Sequence, residues 1–180
     1  GNLRWSRDLG VINISKYGIG WGYASSPTLH DDRIAVICDD PARPFVAVLR
    51  LHDGEEIWRV NRQMECERSW GTPAIFSHGT RTQVVINGWP WVVSYDFETG
   101  QELWRIHGGG DNPVPTPFEA HGNLYITSAH GADSPIYVVD PTASGDITPG
   151  DEAESANDSE SAMVWSTMRG GSYMSTPVVY

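Results

Sequence analysis

The sequence predicts an all-β protein and, within that class, a β-propeller segment: three four-stranded blades plus a single strand of each of two flanking blades. Composition points there first. Among 180 residues, glycine and proline number 19 and 12, and Lys16 is the only lysine. Apolar residues make up 39 %, with eight Trp and seven Tyr, and no long Ala/Leu/Glu/Lys tract occurs. This is strand and turn chemistry with enough apolar surface for a core. The second observation is internal repetition, since two phrases recur through the chain. The third is that short strand-like runs fall between those phrases, separated by turn residues.

Each unit opens on a phrase built around Thr-Pro or Ser-Pro: Ser25-Ser26-Pro27-Thr28-Leu29, Gly71-Thr72-Pro73-Ala74-Ile75, Pro115-Thr116-Pro117-Phe118 and Ser175-Thr176-Pro177-Val178-Val179. A strand beside the central channel has only one paired neighbour, so proline at its start loses little ladder bonding. The second and third strands are expected at 33–38 and 45–51 in unit one, 83–87 and 91–96 in unit two, and 123–127 and 136–140 in unit three. Asp31-Asp32, Asp39-Asp40-Pro41, Asp53-Gly54, Thr99-Gly100 and His121-Gly122-Asn123 are the turns between strands. The fourth strand is the closing phrase: Glu55-Glu56-Ile57-Trp58-Arg59, Gln101-Glu102-Leu103-Trp104-Arg105 and Ala162-Met163-Val164-Trp165-Ser166, with Leu3-Arg4-Trp5-Ser6-Arg7 as the same phrase lacking its front. Four short antiparallel strands recurring at roughly 40–50 residues mark a propeller blade. The repeats run about 20–60, 66–106 and 112–167. Residues 1–7 and 172–180 read as parts of incomplete blades, and 141–161 as an acidic loop insertion.

The closing tryptophans have a physical task. Ser94, Asp96, Thr99, Gly100 and Trp104 place a large ring and a glycine at fixed offsets around a hairpin, and Val48, Gly54 and Trp58 repeat the spacing. An indole can lie flat over the bare glycine backbone of a neighbouring blade and staple the two. Trp5, Trp58, Trp104 and Trp165, with Gly54 and Gly100, are therefore expected to dock blade on blade.

The pattern x-x-Asp-x-x-Thr-Gly-x-x-x-Trp followed by Thr-Pro-x-Val resembles the pyrroloquinoline-quinone (PQQ)-like propeller repeat. That repeat builds quinoprotein alcohol dehydrogenases and the outer-membrane assembly lipoprotein B. Trp21-Gly22-Tyr23-Ala24-Ser25-Ser26-Pro27, Ser69-Trp70-Gly71-Thr72-Pro73, Ser144-Gly145-Asp146-Ile147-Thr148 and Arg169-Gly170-Gly171-Ser172-Tyr173 resemble a group of secreted bacterial PQQ-binding-like repeat proteins. The resemblance implies a propeller exported to the periplasm or beyond, acting as a non-enzymatic scaffold or binding module. Two alternatives stay open. One is a PQQ- and calcium-dependent alcohol or sugar dehydrogenase whose site lies largely outside this segment; the other is a glycan-binding or glycan-processing propeller. Three blades and two orphan strands do not close a ring. The expected partner is thus the remainder of the same propeller or another copy that completes it, with a protein or small-molecule ligand at the channel mouth.

The outer-to-inner connections and the loops between second and third strands are expected to converge on one face. They would bring Trp21, Tyr23, Trp70, Trp89 and Tyr173 to one rim, with His107, His130, Asp133 and Arg169 and the carboxylates Asp39, Asp40 and Asp111. Amphipathic aromatics there suit a flat ring, a sugar or a peptide; the competing reading is that they pack loop on loop. Carboxylates beside a histidine can hold calcium or act as acid and base, but no spacing separates a site from a solvated surface. No catalytic or metal-ligating residue is therefore assigned, and no cofactor is expected in this segment. Gly108-Gly109-Gly110 lacks the following Lys-Ser/Thr of a phosphate loop and reads as a flexible turn.

The formal charge is −11, and six acids (Asp146, Asp151, Glu152, Glu154, Asp158 and Glu160) sit in one stretch without a base. Nucleic-acid binding is excluded by this balance, and 141–161 reads as a solvated loop. No apolar run approaches the roughly 18 residues of a membrane span. The opening Gly1-Asn2-Leu3-Arg4-Trp5 has none of the parts of a signal peptide. Cys38 and Cys66 lack metal-ligand spacing and read either as two separate thiols or as a pair in an oxidising compartment.

Overall fold

The computed structural model describes residues 1–11, 23–40, 43–62, 69–131, 133–150 and 162–179. Thirteen strands are present among them. Blade 1 is β1 (Thr28–His30), β2 (Arg33–Cys38), β3 (Phe45–Arg50) and β4 (Glu56–Asn61), paired in sequence order. Blade 2 follows the same order with β5 (Ala74–His78), β6 (Arg81–Ile86), β7 (Trp91–Asp96) and β8 (Glu102–His107). Blade 3 comprises β9 (Phe118–Ala120), β10 (Asn123–Thr127), β11 (Ile136–Val139) and β13 (Met163–Thr167). All these pairings are antiparallel.

The middle strands are nearly continuous apolar runs: those of blade 2 are covered on both faces by blades 1 and 3, and those of blade 1 carry a further cluster on their other face, Val36, Cys38, Phe45, Ala47 and Leu49, against Leu9. Two cores lie at the seams. Ala35, Ile37, Val46 and Val48 of blade 1 meet Val84, Ile86, Val93 and Tyr95 of blade 2. Val85, Val92, Trp104 and Ile106 of blade 2 meet Leu124, Ile126, Tyr137 and Val139 of blade 3. Along the inner side, Thr28 Oγ1 donates to the Pro73 carbonyl at 2.5 Å and Ser25 Oγ to the Gly71 carbonyl at 2.9 Å, so blade 1 is also tied to blade 2 by the opening phrases.

Two of the four closing tryptophans lie over turn glycines. Trp5 lies on Gly54, where an added Cβ would come within 2.5 Å of the ring, and its N–H donates to the Leu51 carbonyl at 2.8 Å. Trp58 lies on Gly100, where a Cβ would come within 2.8 Å, and donates to the Phe97 carbonyl at 2.9 Å. Both glycines have positive φ (+71° and +74°), so turn geometry and ring contact each demand glycine. A register shift recurs at the same point of every blade, just after the residue opposite the tryptophan: Val48 opposite Trp58, Ser94 opposite Trp104, Val138 opposite Trp165. Such bulges re-aim a side chain, and here they set the indole against the next blade.

The third staple departs from the first two. Trp104 is fully buried, and its N–H donates to Gln83 Oε1 at 2.9 Å instead of to a turn carbonyl. Gln83 Nε2 in turn donates to the Pro141 carbonyl at 2.9 Å, and Ser94 Oγ donates to the same Oε1 at 2.7 Å. Pro141 follows Asp140 as Phe97 follows Asp96, so Gln83 relays the bond that Trp58 makes directly. Trp165 is 41 % exposed and meets no blade among the described residues. Residues 1–11 and 172–179 have no ladder partner there either. Even so, Trp5 makes the staple expected of it, and Thr176 Oγ1 accepts the Thr116 N–H at 3.1 Å.

The described part of the acidic segment corrects the expectation of a solvated insertion. Strand β12 (Gly145–Asp146) runs back to blade 2 and pairs parallel with β8 as a fifth strand. Ala143 is buried and Ile147 packs on the blade 2–3 core. Asp140 and Asp146 are held below the usual carboxylate range, chiefly by hydrogen bonds from the Thr142 and Thr148 side chains. Cys38 is a buried free thiol that desolvation pushes up to about 11. Cys66 and residues 151–161 lie outside the described residues.

Candidate functional site

The connections and the second-to-third-strand loops do converge. Ser69 Oγ donates to the Asn87 carbonyl (2.7 Å), Asn87 Nδ2 to the Pro115 and Thr127 carbonyls (2.8 and 2.9 Å), and the Gly171 N–H to the Ser134 carbonyl (2.7 Å). Side chains just past the second strands thus knit the face together from below, and aromatic and ionisable groups stand on top.

The most organised group lies on blade 3. His130 Nδ1 is 2.5 Å from Asp111 Oδ1, and the His130 ring stacks on Tyr173 with centroids 5.8 Å apart and planes 20° from parallel. Asn112 Nδ2 donates to the Tyr173 hydroxyl at 3.3 Å. The carboxylate fixes the imidazole with Nδ1–H toward Asp111, so Nε2 is the nitrogen left to accept from a ligand. The His130 side chain is 52 % exposed, with Asp111 one-third exposed. His130 also holds a φ of +146°, a strained backbone for a non-glycine residue. Its N–H donates to the Asp133 carbonyl at 3.3 Å, which pins the loop.

The three glycines explain how Asp111 reaches His130. They are not the flexible turn the sequence suggests. Gly108 and Gly109 have φ of +120° and +101°, the Gly110 N–H donates to Ser128 Oγ at 2.9 Å, and a Cβ on Gly110 would fall 2.5 Å from the Ala129 Cα. The connection lies flat against the 128–130 backbone, which cannot yield. Gly110→Ala is expected to cost about 1–3 kcal/mol and to separate Asp111 from His130. Urea unfolding, together with the His130 imidazole resonances, checks both effects.

The other predicted rim residues disperse. His107 is still in the ladder opposite Trp91, its ring packs edge-on against that indole (4.6 Å), and its N–H donates to Thr148 Oγ1 at 2.9 Å; it belongs to the outer edge of blade 2. The Tyr23 hydroxyl donates to the Ile37 carbonyl, and desolvation pushes its pKa upward, so it anchors a loop. Trp70 and Trp89 are half-buried, and the Trp70 backbone N–H donates to the Pro113 carbonyl. Asp133 lies near the Tyr137 hydroxyl, which burial and that charge push up to about 12. Arg169 is exposed at the edge of the face. Trp21 lies outside the described residues.

Asp39 is not on the rim at all. Its side chain and that of Arg62 are both fully buried, with Arg62 Nε 3.0 Å from Asp39 Oδ1. Arg62 Nη2 donates to the Trp91 carbonyl at 3.4 Å, so the pair bridges blade 1 to blade 2. Desolvation lifts the Asp39 carboxyl to about 6 against the pull of Arg62.

No family model matches the chain, and no curated protein does. Among solved structures it is similar to a quinohemoprotein alcohol dehydrogenase of Pseudomonas putida HK5 (18 % identity, TM-score 0.56, covering 80 % of this chain and 21 % of that one). It is also similar to the quinohemoprotein alcohol dehydrogenase of Comamonas testosteroni (19 %, 0.53, 79 % and 24 %). BamB from Moraxella catarrhalis matches at 15 % identity and a TM-score of 0.49, covering 80 % of this chain and 36 % of that one. The chain therefore spans about a fifth to a third of the length of the structures it matches. At these identities the likeness shows the fold alone: the chain has the blade architecture of a β-propeller.

Among the described residues no three His, Cys, Asp or Glu side chains gather. Two carboxylates are buried among the described residues, and both face an arginine: Asp39 faces Arg62, and Asp40 is 4.0 Å from Arg43 Nε. Among the described residues no helix is long and apolar enough to cross a membrane.

Proposed function

We propose that this segment belongs to an exported propeller that acts as a non-enzymatic binding module, and that the loop face of blade 3 is its ligand platform. The observation that carries the reading is the preformed group of Asp111, His130 and Tyr173. A carboxylate orients the imidazole, and a phenol ring covers one face of it. Such an arrangement offers a flat surface, an oriented nitrogen acceptor and carboxylate oxygens to a polar ring, the chemistry of a carbohydrate. Export accords with the resemblance to secreted repeat proteins, and further blades, from the same chain or another copy, complete the ring. The exposed Trp165 supports that last point, since it repeats the position of Trp5 and Trp58, which each cover a neighbouring turn, and of Trp104, which is buried in the seam with the next blade.

Oligosaccharide-array binding followed by titration of the best hit tests the proposal. Tyr173→Ala and His130→Gln are each expected to weaken binding at least tenfold while leaving the thermal midpoint within a few degrees. Binding that ignores both substitutions, or chemical turnover of the bound sugar, overturns it.

A further inference from the structure

At the seam between blades 2 and 3 the chain fills its own groove. Strand β12 lies along β8, Asp146 Oδ2 sits 3.1 Å from Arg105 Nε, and the Ile147 N–H donates to the Arg105 carbonyl at 3.0 Å. Thr148 Oγ1 accepts the His107 N–H at 2.9 Å, and Ile147 packs on the core. The receptor for this segment is thus an outer strand reading Glu-x-Trp-Arg-x-His.

Strand β4 repeats it position for position, with Glu56, Trp58, Arg59 and Asn61 standing where Glu102, Trp104, Arg105 and His107 stand in β8. The Arg59 guanidinium lies 3.9 Å from the Phe45 ring centroid, as that of Arg105 lies 5.2 Å from Trp91's. Yet among the described residues nothing pairs with the outer side of β4. Beside it opens a cavity of about 310 Å³, lined among others by Val60, Asn61, Trp91, Val93 and Arg105. This is the counterpart of the space that Ile147 occupies one blade further on. The charge there favours an anion: Glu102, which also lines the cavity, is 3.6 Å from Arg105, while Arg7 and Arg59 converge on the single carboxylate of Glu56, at 3.3 and 2.7 Å, and leave a net positive charge at the edge.

We infer that the outer edge of β4 with its groove binds an extended peptide from a partner protein as a parallel fifth strand. The peptide carries an acidic residue beside Arg59, then a branched aliphatic residue that enters the groove, then a Ser or Thr whose hydroxyl takes the Asn61 N–H. Strand addition of this kind draws affinity from backbone pairing and selectivity from alternate side chains. The surface lies on the outer rim, apart from the loop platform, and stands independently of the reading given to that platform.

The probe is the peptide Ser-Gly-Asp-Ile-Thr-Pro-Gly, which copies residues 144–150, titrated into the 180-residue chain and followed by amide hydrogen exchange. Saturable binding with slowed exchange at the Asn61 N–H is expected, at least fivefold weaker when the peptide's Asp is changed to Asn. Asn61→Pro is expected to abolish binding, because it removes the outward donor; the Arg62 N–H, which bonds the Pro44 carbonyl at 2.8 Å, is untouched. A charge swap keeps the question open to refutation should that proline disturb β4: Arg59→Glu is expected to lose the Asp peptide and to bind one with Lys in its place. The inference fails if no saturable binding occurs, or if the Asn61 amide is already protected in the free chain. It also fails if protection changes at His107 instead, or if a second copy fills the edge, seen as self-association that Asn61→Pro removes.

Discussion

Trp104→Ala is expected to cost about 3–5 kcal/mol, a large part of the 5–15 kcal/mol that usually separates folded from unfolded states. The indole is fully buried in the blade 2–3 core, so its loss opens a cavity that rigid sheets on both sides cannot close. It also removes the donor to Gln83 Oε1, leaving that oxygen to Ser94 alone and loosening the relay to Pro141. Trp165→Ala removes the same chemical group from the same blade position, but there the ring is partly in water, and the expected cost falls to about 1 kcal/mol. Urea unfolding of both variants checks the contrast. Equal costs would mean that blade position, and not coverage by a neighbour, sets the value of the ring.

Arg62→Met is expected to destabilise the protein by about 3–5 kcal/mol at pH 8, because it leaves a buried carboxylate without its counter-charge. The pH dependence identifies the cause. Asp39 titrates at about 6 in the folded protein, above the ordinary carboxyl range near 4. The folded state therefore binds more protons than the unfolded chain between those values, and its stability falls as pH rises through them. Removing Arg62 takes away the attraction that holds the Asp39 pKa down. The folded-state titration then moves above 6, and the loss of stability continues to higher pH. At pH 5, where Asp39 is mostly protonated, the variant is expected to lie much nearer the parent. Denaturation at pH 5, 6.5 and 8 measures this, and a cost independent of pH would refute the assignment.

The staples were legible in the sequence because both partners obey one period: Trp58 and Gly54, and Trp104 and Gly100, sit at matching offsets within hairpins, and the structure only had to say which blade each ring covers. The bulges that aim those rings leave no compositional trace. Residues whose role depends on meeting another part of the chain were harder to read. Asp39 and His107 follow strands and looked like rim residues, yet Asp39 is drawn under the face by Arg62, and His107 is still held in its ladder. The fifth strand was missed for a related reason. Gly145–Thr148 is short, polar and surrounded by acids, and it becomes a strand because Arg105, 41 residues before Asp146, offers a carbonyl and a counter-charge. The sequence places both His130 and Asp111 on the rim, but the packing of Gly110 on Ala129 is what brings them within a hydrogen bond.

The return of residues 145–148 to the preceding blade also changes how the molecule comes apart. Blade 3 is sewn to blade 2 at the inner phrases, through the seam core and by a parallel ladder along the outer margin, whereas among the described residues blades 1 and 2 are joined there by the Trp58 staple and the Arg33–Glu98 ion pair, without a ladder. To peel off blade 3, a pulling force or a protease must first unzip that short parallel ladder, so blades 2 and 3 should open as one cooperative block. Blade 1, held by side-chain ties and core contact but by no such ladder, is expected to open before that block.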